Sequence, residues 1–195
     1  MAKADPAAQK KERQKATRWV VSIFFVTILV SGTISLLSDI LMENSSVAVA
    51  FLILLLIILI GIIFDIIGMA VASADEKPFH AMAARKVPGA REAISLLRNA
   101  ERVSSICNDV VGDICGVVSG SASATIAVQI LSNFEFSWPQ IVSLLMSALA
   151  AGLTVGGKAI GKSFAVNSCT EIVHTVGKLL HVLHGSPESR GKKKK

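Results

Sequence analysis

Residues 104–124 read SSICNDVVGDICGVVSGSASA. The stretch has the length and apolar content of a membrane-spanning helix, yet Asn108, Asp109 and Asp113 lie in its first turns. A charged side chain within a span costs roughly 2.5–3.5 kcal/mol on insertion scales, and it is tolerated when paired, protonated, hydrated or bound to an ion. On a helix of about 3.6 residues per turn, Asp109, Asp113, Gly116, Gly120, Ser123 and Ala127 recur every three or four positions, with Asn108, Gly112, Ser119 and Ala124 beside them. The other side carries Ile106, Val110, Ile114, Val117, Val118 and Ile126. Small residues let helices approach closely in a bilayer, where water does not drive association. The pattern therefore predicts a small, polar stripe turned toward other helices, with both acids facing inward.

The rest of the chain supports a membrane setting. Of its 195 residues 52% are hydrophobic and only 17% are charged, against about 25% charged in soluble domains. The first 18 residues and the last 10 are polar and basic, so the middle is richer still in apolar residues. This predicts an all-α fold: a polytopic membrane helix bundle with four transmembrane helices and amphipathic juxtamembrane helices. The spans are Trp19 to Leu37, Val47 to Ala72, Ser105 to Leu131 and Ile141 to Val155, the last short but opened by Trp138 as an interfacial anchor. The first is longer than the apolar region of a signal peptide, and no small-residue cleavage site follows it, which favours a retained anchor.

Charge sets the expected topology. The N-terminal tail carries Lys10, Lys11, Arg13, Lys15 and Arg18; the segment 77–102 carries Lys77, Arg85, Lys86, Arg91, Arg98 and Arg102; Lys158, Lys162, Lys178 and Lys192 to Lys195 follow the fourth span. The loops SDILMENSS and SNFEFSWPQ hold no basic residue. All basic clusters thus fall on one side, and the positive-inside rule puts both termini in the cytoplasm of a cell-membrane protein. The implied organisation is a basic cytoplasmic tail (1–18), a first transmembrane helix (19–41), a membrane domain (47–184) and a basic tail (185–195) that meets anionic lipid. Partners expected are the bilayer and no nucleic acid, since Tyr is absent and no aromatic-plus-basic pattern occurs. Cys107, Cys115 and Cys169 form no CxxC pair and read as small buried residues.

The connector 76–103 is polar with helical periodicity; Pro88-Gly89 splits it, and Ala93, Leu96, Leu97 and Ala100 form an apolar face. Residues 163–184 repeat the pattern, with Phe164, Cys169, Ile172, Val173, Val176, Leu179, Leu180 and Leu183 as the stripe of an interfacial helix. GGKAIGKS, residues 156–163, satisfies a phosphate-loop pattern, but it follows a membrane span with no room for the α/β domain the mechanism needs, so no nucleotide is expected. Gly156, Gly157 and Gly161 are expected to bend the chain from the fourth span into the surface helix. No HExxH or GxSxG motif suggests an enzyme; His174, His181 and His184 read as interfacial residues of the surface helix, and His80 stands alone.

The second span adds Asp65, about ten residues before its cytoplasmic end, at a depth similar to Asp113. Carboxylate, amide and hydroxyl oxygens suit a hard cation such as magnesium. Three readings stand: a cation site of Asp65, Asn108, Asp109 and Asp113; a structural role in which Asp65 or Asp113 pairs with Lys158 or is protonated; and a proton relay.

With these elements placed, residues 47–183 resemble the transmembrane domain of the cyclin M and CorC family of magnesium transporters. The likeness lies in IFDIIGMAVASADEKPFHAMAARKVPGAREAISLLRNAERVSS, in its closing LRNAERV, in NDVVGDICGVVSGSA, and in GKAIGKSFAVNSCTEIVHTVGKLL. The resemblance implies a homodimer that binds magnesium through serine, asparagine and glutamate oxygens. The first serine position falls on Asp65, the second near Ile67, and the asparagine on Asn108 or Asp109. The motif glutamate falls on Lys158 and the proline on Gly161, so an ammonium stands where the family has a ligand. The family's cytoplasmic nucleotide-binding domains have no counterpart here, which implies a separate cytoplasmic regulatory partner, and the first span is additional to the family core.

Overall fold

The structure, a computed structural model, describes residues 6–43, 45–133 and 138–184, with the side chains of residues 17–42, 45–133 and 138–183. The tail 185–195 lies outside the described residues. All regular structure among them is helical: α1 (Pro6–Glu43), α2 (Val47–Ser73), α3 (Lys77–Ala84), α4 (Ala90–Arg98), α5 (Ala100–Ser105), a π-helical segment (Ile106–Gly112), α6 (Asp113–Asn133), α7 (Pro139–Asn167) and α8 (Cys169–His184). Four stretches, of 26, 27, 34 and 29 residues, are long and apolar enough to cross a membrane. At about 1.5 Å per residue even the shortest spans about 39 Å, more than the roughly 30 Å of a bilayer's hydrocarbon core. The chain is a multi-span helical membrane protein.

The bundle centres on α2, which packs against α6 and α7; α6 also packs on α7, and α1 on α6. One apolar cluster holds Met42, Ala50, Leu54, Ile58, Ala122, Ile126, Ala127, Met146 and Ala150. It lies at the end of the bundle where α1 stops and α2 starts. A second, at the opposite end, joins Ala70 and Val71 of α2 to Phe79, Ala93, Leu97, Ala165 and Val173. The first helix is more than an anchor: Met42 is fully buried, its carbonyl accepts from Gln129 Nε2 at 2.6 Å, and Thr125 Oγ1 donates to Asp39 Oδ1 at 3.4 Å. Farther back, Phe24, Phe25 and Leu29 are exposed, as lipid-facing residues should be.

Two expectations are corrected. Gly156, Gly157 and Gly161 do not bend the chain; α7 runs through them to Asn167, and the surface helix starts only at Cys169. A Cβ added at Gly157 would run into Ile62 Cδ1, and one at Gly161 would lie 2.8 Å from Ile66 Cγ1. Gly157 and Gly161 serve close packing of α7 on α2, a steric need that outweighs their modest helix penalty of about 1 kcal/mol each, whereas Gly156 meets open space. The phosphate-loop pattern is therefore helix throughout.

The connector behaves as expected at Pro88-Gly89, which separates α3 from α4. Gly89 adopts φ +84°, and a Cβ there would lie 2.5 Å from the Lys178 backbone nitrogen. Gly177 meets Gly89 from the other side. Both the left-handed conformation and the crossing of α4 with α8 thus demand glycine at 89. Next to the crossing, His181 Nδ1 lies 2.7 Å from Glu92 Oε1. Burial pushes the Glu92 carboxyl up, but the His181 hydrogen bond and charge outweigh it and hold the group below the usual carboxylate range.

Candidate functional site

The polar layer between the two apolar clusters is assembled from α2, the π segment, the start of α6 and α7. In α2, Gly61, Asp65 and Gly68 are buried at helical spacing. Gly61 admits the Cys115 side chain and Gly68 the Asn108 amide, each close enough to exclude a Cβ. In the π segment, Cys107 and Gly112 are buried. From α7 comes Lys158, whose Nζ donates to the Gly112 carbonyl at 3.1 Å. The same ammonium stands 3.8 Å from Asp65 Oδ1 and 3.8 Å from Asp113 Oδ1. Lys162, one turn along, places Nζ 4.0 Å from Asp65 Oδ2.

Exposure separates these charges. The Asp65 side chain is 5% exposed and Lys158 19%, whereas Lys162 is 49% and Asp113 73% exposed. Asp65 lies eight residues before the end of α2 and Lys158 nine before the end of α7, so both sit about 12–14 Å inside their helix ends. An ammonium at that depth is within reach of a snorkelling stem. Lys158 is thus clasped by one carbonyl and two carboxylates, with Lys162 as a second counter-charge. The Asp65 Oδ2 and Asn108 Oδ1 atoms are buried and accept no hydrogen bond; the 4.0 Å from Oδ2 to Lys162 is an ion-pair distance, too long for a hydrogen bond.

Of the four residues expected to gather, the structure brings Asp65 and Asp113 to one ammonium and leaves the other two aside. Asn108 turns to Ser104, its Nδ2 donating to Ser104 Oγ at 3.3 Å, and Asp109 is exposed and accepts from Ser105 Oγ at 2.8 Å. Among the described residues no three His, Cys, Asp or Glu side chains gather into a metal-holding group. The stripe of the third span is also turned. Ser123 and Ala127 are buried as expected, but so are Ile114, Val118 and Ile126, while Asp109, Asp113, Gly120 and Ala124 are exposed. The packed face lies about one residue, roughly 100°, round from the expected one. Volume decides this: Ile126 fills the cluster with Met42, Leu54 and Ile58, which a glycine could not. The π segment also breaks the helical register just before α6, so no single wheel carries Asn108 and Ser123 together.

Lys158 pairing with Asp65 or Asp113 was open in the sequence. Lys162 and the Gly112 carbonyl were not foreseen. The four-residue spacing of Lys158 and Lys162 would have revealed the former had α7 been taken as helix through its glycines.

No family model, curated protein or solved structure matches this chain.

Proposed function

We propose that the chain is a non-transporting membrane scaffold or regulatory partner whose intramembrane polar site is filled by its own ammonium group. The observation that carries this reading is the position of Lys158 Nζ, held by Gly112 O at 3.1 Å and standing 3.8 Å from both Asp65 and Asp113. A tethered cation satisfies a buried carboxylate without leaving the protein. Removing one partner of such a pair strands the other charge. On this reading both termini face the cytoplasm of the cell membrane, and the protein works as a homodimer with a separate cytoplasmic regulatory partner.

A second reading, a divalent-cation (magnesium) transporter core, rests on the two buried oxygens without a hydrogen-bond donor, Asp65 Oδ2 and Asn108 Oδ1. These are acceptor capacity that Lys158 leaves unused. Magnesium requires near-octahedral oxygen ligands at about 2.0–2.1 Å, and the present side chains do not fit it with Lys158 between them. Magnesium would be cargo here, bound only after the lysine moved aside.

The deciding experiment is thermal unfolding of the purified full-length protein against magnesium, with calcium and sodium as controls. A ligand of the folded state raises the melting temperature with concentration. The scaffold reading expects no magnesium-specific rise at millimolar concentration and a large loss of stability in Lys158→Ala. A magnesium-specific rise abolished by Asp65→Ala, together with a neutral Lys158→Ala, would replace it with the transporter reading.

A further inference from the structure

The helix that leads into the third span carries a basic face with little internal use. α4 buries Ala90, Ala93 and Leu97, and α5 continues it after Asn99 with no buried residue. Arg91, Arg98 and Arg102 are exposed; Arg91 and Arg98, seven residues apart, share one side of α4, and Arg102 follows just past the break at Asn99, in α5. Arg91 lends charge to Glu92. Among the described residues, the Arg98 and Arg102 side chains make no ion pair or hydrogen bond. Glu101, also exposed, offsets one of the three charges, and Arg85 and Lys86 add two more exposed ones just past the end of α3.

Their position narrows what they meet. The third candidate span, Ala100–Asn133, begins between them, so Arg98 and Arg102 lie at the entry end of a helix long enough to cross a bilayer with turns to spare in the headgroup region. A guanidinium at that height faces lipid phosphates, which it can engage with two parallel N–H donors. A structural pair would have drawn an acid to each arginine, and this face has only Glu101 to offer.

We propose that Arg98 and Arg102, supported by Arg91 and Arg85, form a binding face for anionic phospholipid headgroups. The assignment to the cytoplasmic leaflet rests on the topology given under the proposed function; the headgroup chemistry does not. The face also has a mechanical consequence. Arg102 lies four residues before the π segment that presents Gly112 to Lys158, so a held headgroup steadies the helix at the entrance to the polar layer.

The test is a melt of the full-length protein in neutral detergent, followed by tryptophan fluorescence. Phosphatidylglycerol, phosphatidylcholine or inorganic phosphate is titrated separately. Phosphatidylglycerol should raise the melting temperature in a saturable way, and the other two should not. In Arg98→Gln/Arg102→Gln the half-saturating phosphatidylglycerol concentration should rise about 30-fold, from the contribution expected of two basic residues near an anionic surface. An equal response to phosphatidylcholine, or an unchanged phosphatidylglycerol response in the variant, overturns the site. A shift with inorganic phosphate alone overturns its assignment to lipid. Should the double variant fail to fold, the native chain carries the test: raising sodium chloride from 50 to 500 mM must weaken the phosphatidylglycerol response, because surface charge is screened. Insensitivity to salt overturns the proposal. Labelling of Ser95→Cys from outside intact vesicles, above the parent's own cysteines, would overturn the leaflet and topology while leaving the headgroup response in detergent as it stands.

Discussion

Between Ala50 and Ile58, α2 meets its neighbours through apolar side chains alone, with Ile126, Met146 and Ala150 against it. Between Gly61 and Gly68, three turns on, it meets the same two helices through Asp65, the Gly112 carbonyl and Lys158. The two contacts use different physics. In a bilayer an apolar side chain leaves lipid rather than water when it packs, so the first contact is held by close fit and little else. The second must satisfy a carboxylate in a poor solvent for charge, and its geometry is dictated by who can supply a positive group. A packing defect in the first should therefore cost less than an equivalent deletion in the second, whereas in a soluble core the two losses are of similar size.

The sharpest way to break this comparison is Lys158→Ala. It leaves Asp65 with only Lys162 at 4.0 Å, and a loss of about 3–5 kcal/mol is expected from the stranded charge, read from reversible unfolding in mixed micelles. Adding Asp65→Asn to it should restore much of the loss; if the double variant is as unstable as the single, the charge was not the cause. Gly89→Ala comes next. It forces an alanine into φ +84° and against the Lys178 backbone, and about 2–3 kcal/mol should be lost, the strain part alone being about 1–2. The loss should appear as faster amide exchange in α8, with the polar layer untouched.

Ile126→Ala probes the apolar contact. Only the cavity part of a large-to-small penalty applies there, so about 1–2 kcal/mol is expected rather than the larger values of soluble cores. A loss exceeding that of Lys158→Ala would reverse the ranking. The smallest effect belongs to Glu92, whose folded-state carboxyl titrates below its ordinary value. A depressed carboxyl stabilises the fold above its unfolded pKa of about 4.3, and that contribution is lost as the pH falls through the lower folded value. Acid unfolding of α8 should lose this component in Glu92→Gln, with about 1 kcal/mol removed at neutral pH; an unchanged acid profile would show that His181 holds nothing through Glu92.

How much of this was legible follows the same division. Span existence was readable because twenty-odd apolar residues have no alternative explanation, and Pro88-Gly89 announced the break in the connector. The matching depth of Asp65 and Asp113 was readable from rise per residue, and both do reach one ammonium. The facing of the third span was not. Small residues mark where helices can approach, but several sides of α6 carry them, and the bulk of Ile114, Val118 and Ile126 chose among those sides. The end of the fourth span was misjudged for a related reason: glycine reads as a bend in one dimension and as a contact surface in three. The π segment has no local signature, so the carbonyl it gives to Lys158 could be found only in the fold.

The α2–α7 contact carries one more implication. Gly157 faces Ile62 and Gly161 faces Ile66, while Lys158 and Lys162 both address Asp65. Holes and cations repeat with the same four-residue period. Sliding α7 by that period, about 6 Å, would seat Gly161 on Ile62 and put Lys162 where Lys158 stands, but it would also bring Ala165 against Ile66 and Val166 into the place of Lys162, so one glycine contact and one cation would be lost. The thread pitch is the same on both parts of the screw. Met146 and Ala150, seated in the apolar cluster at the other end, add a second stop, so the register of the fourth span is held from both ends.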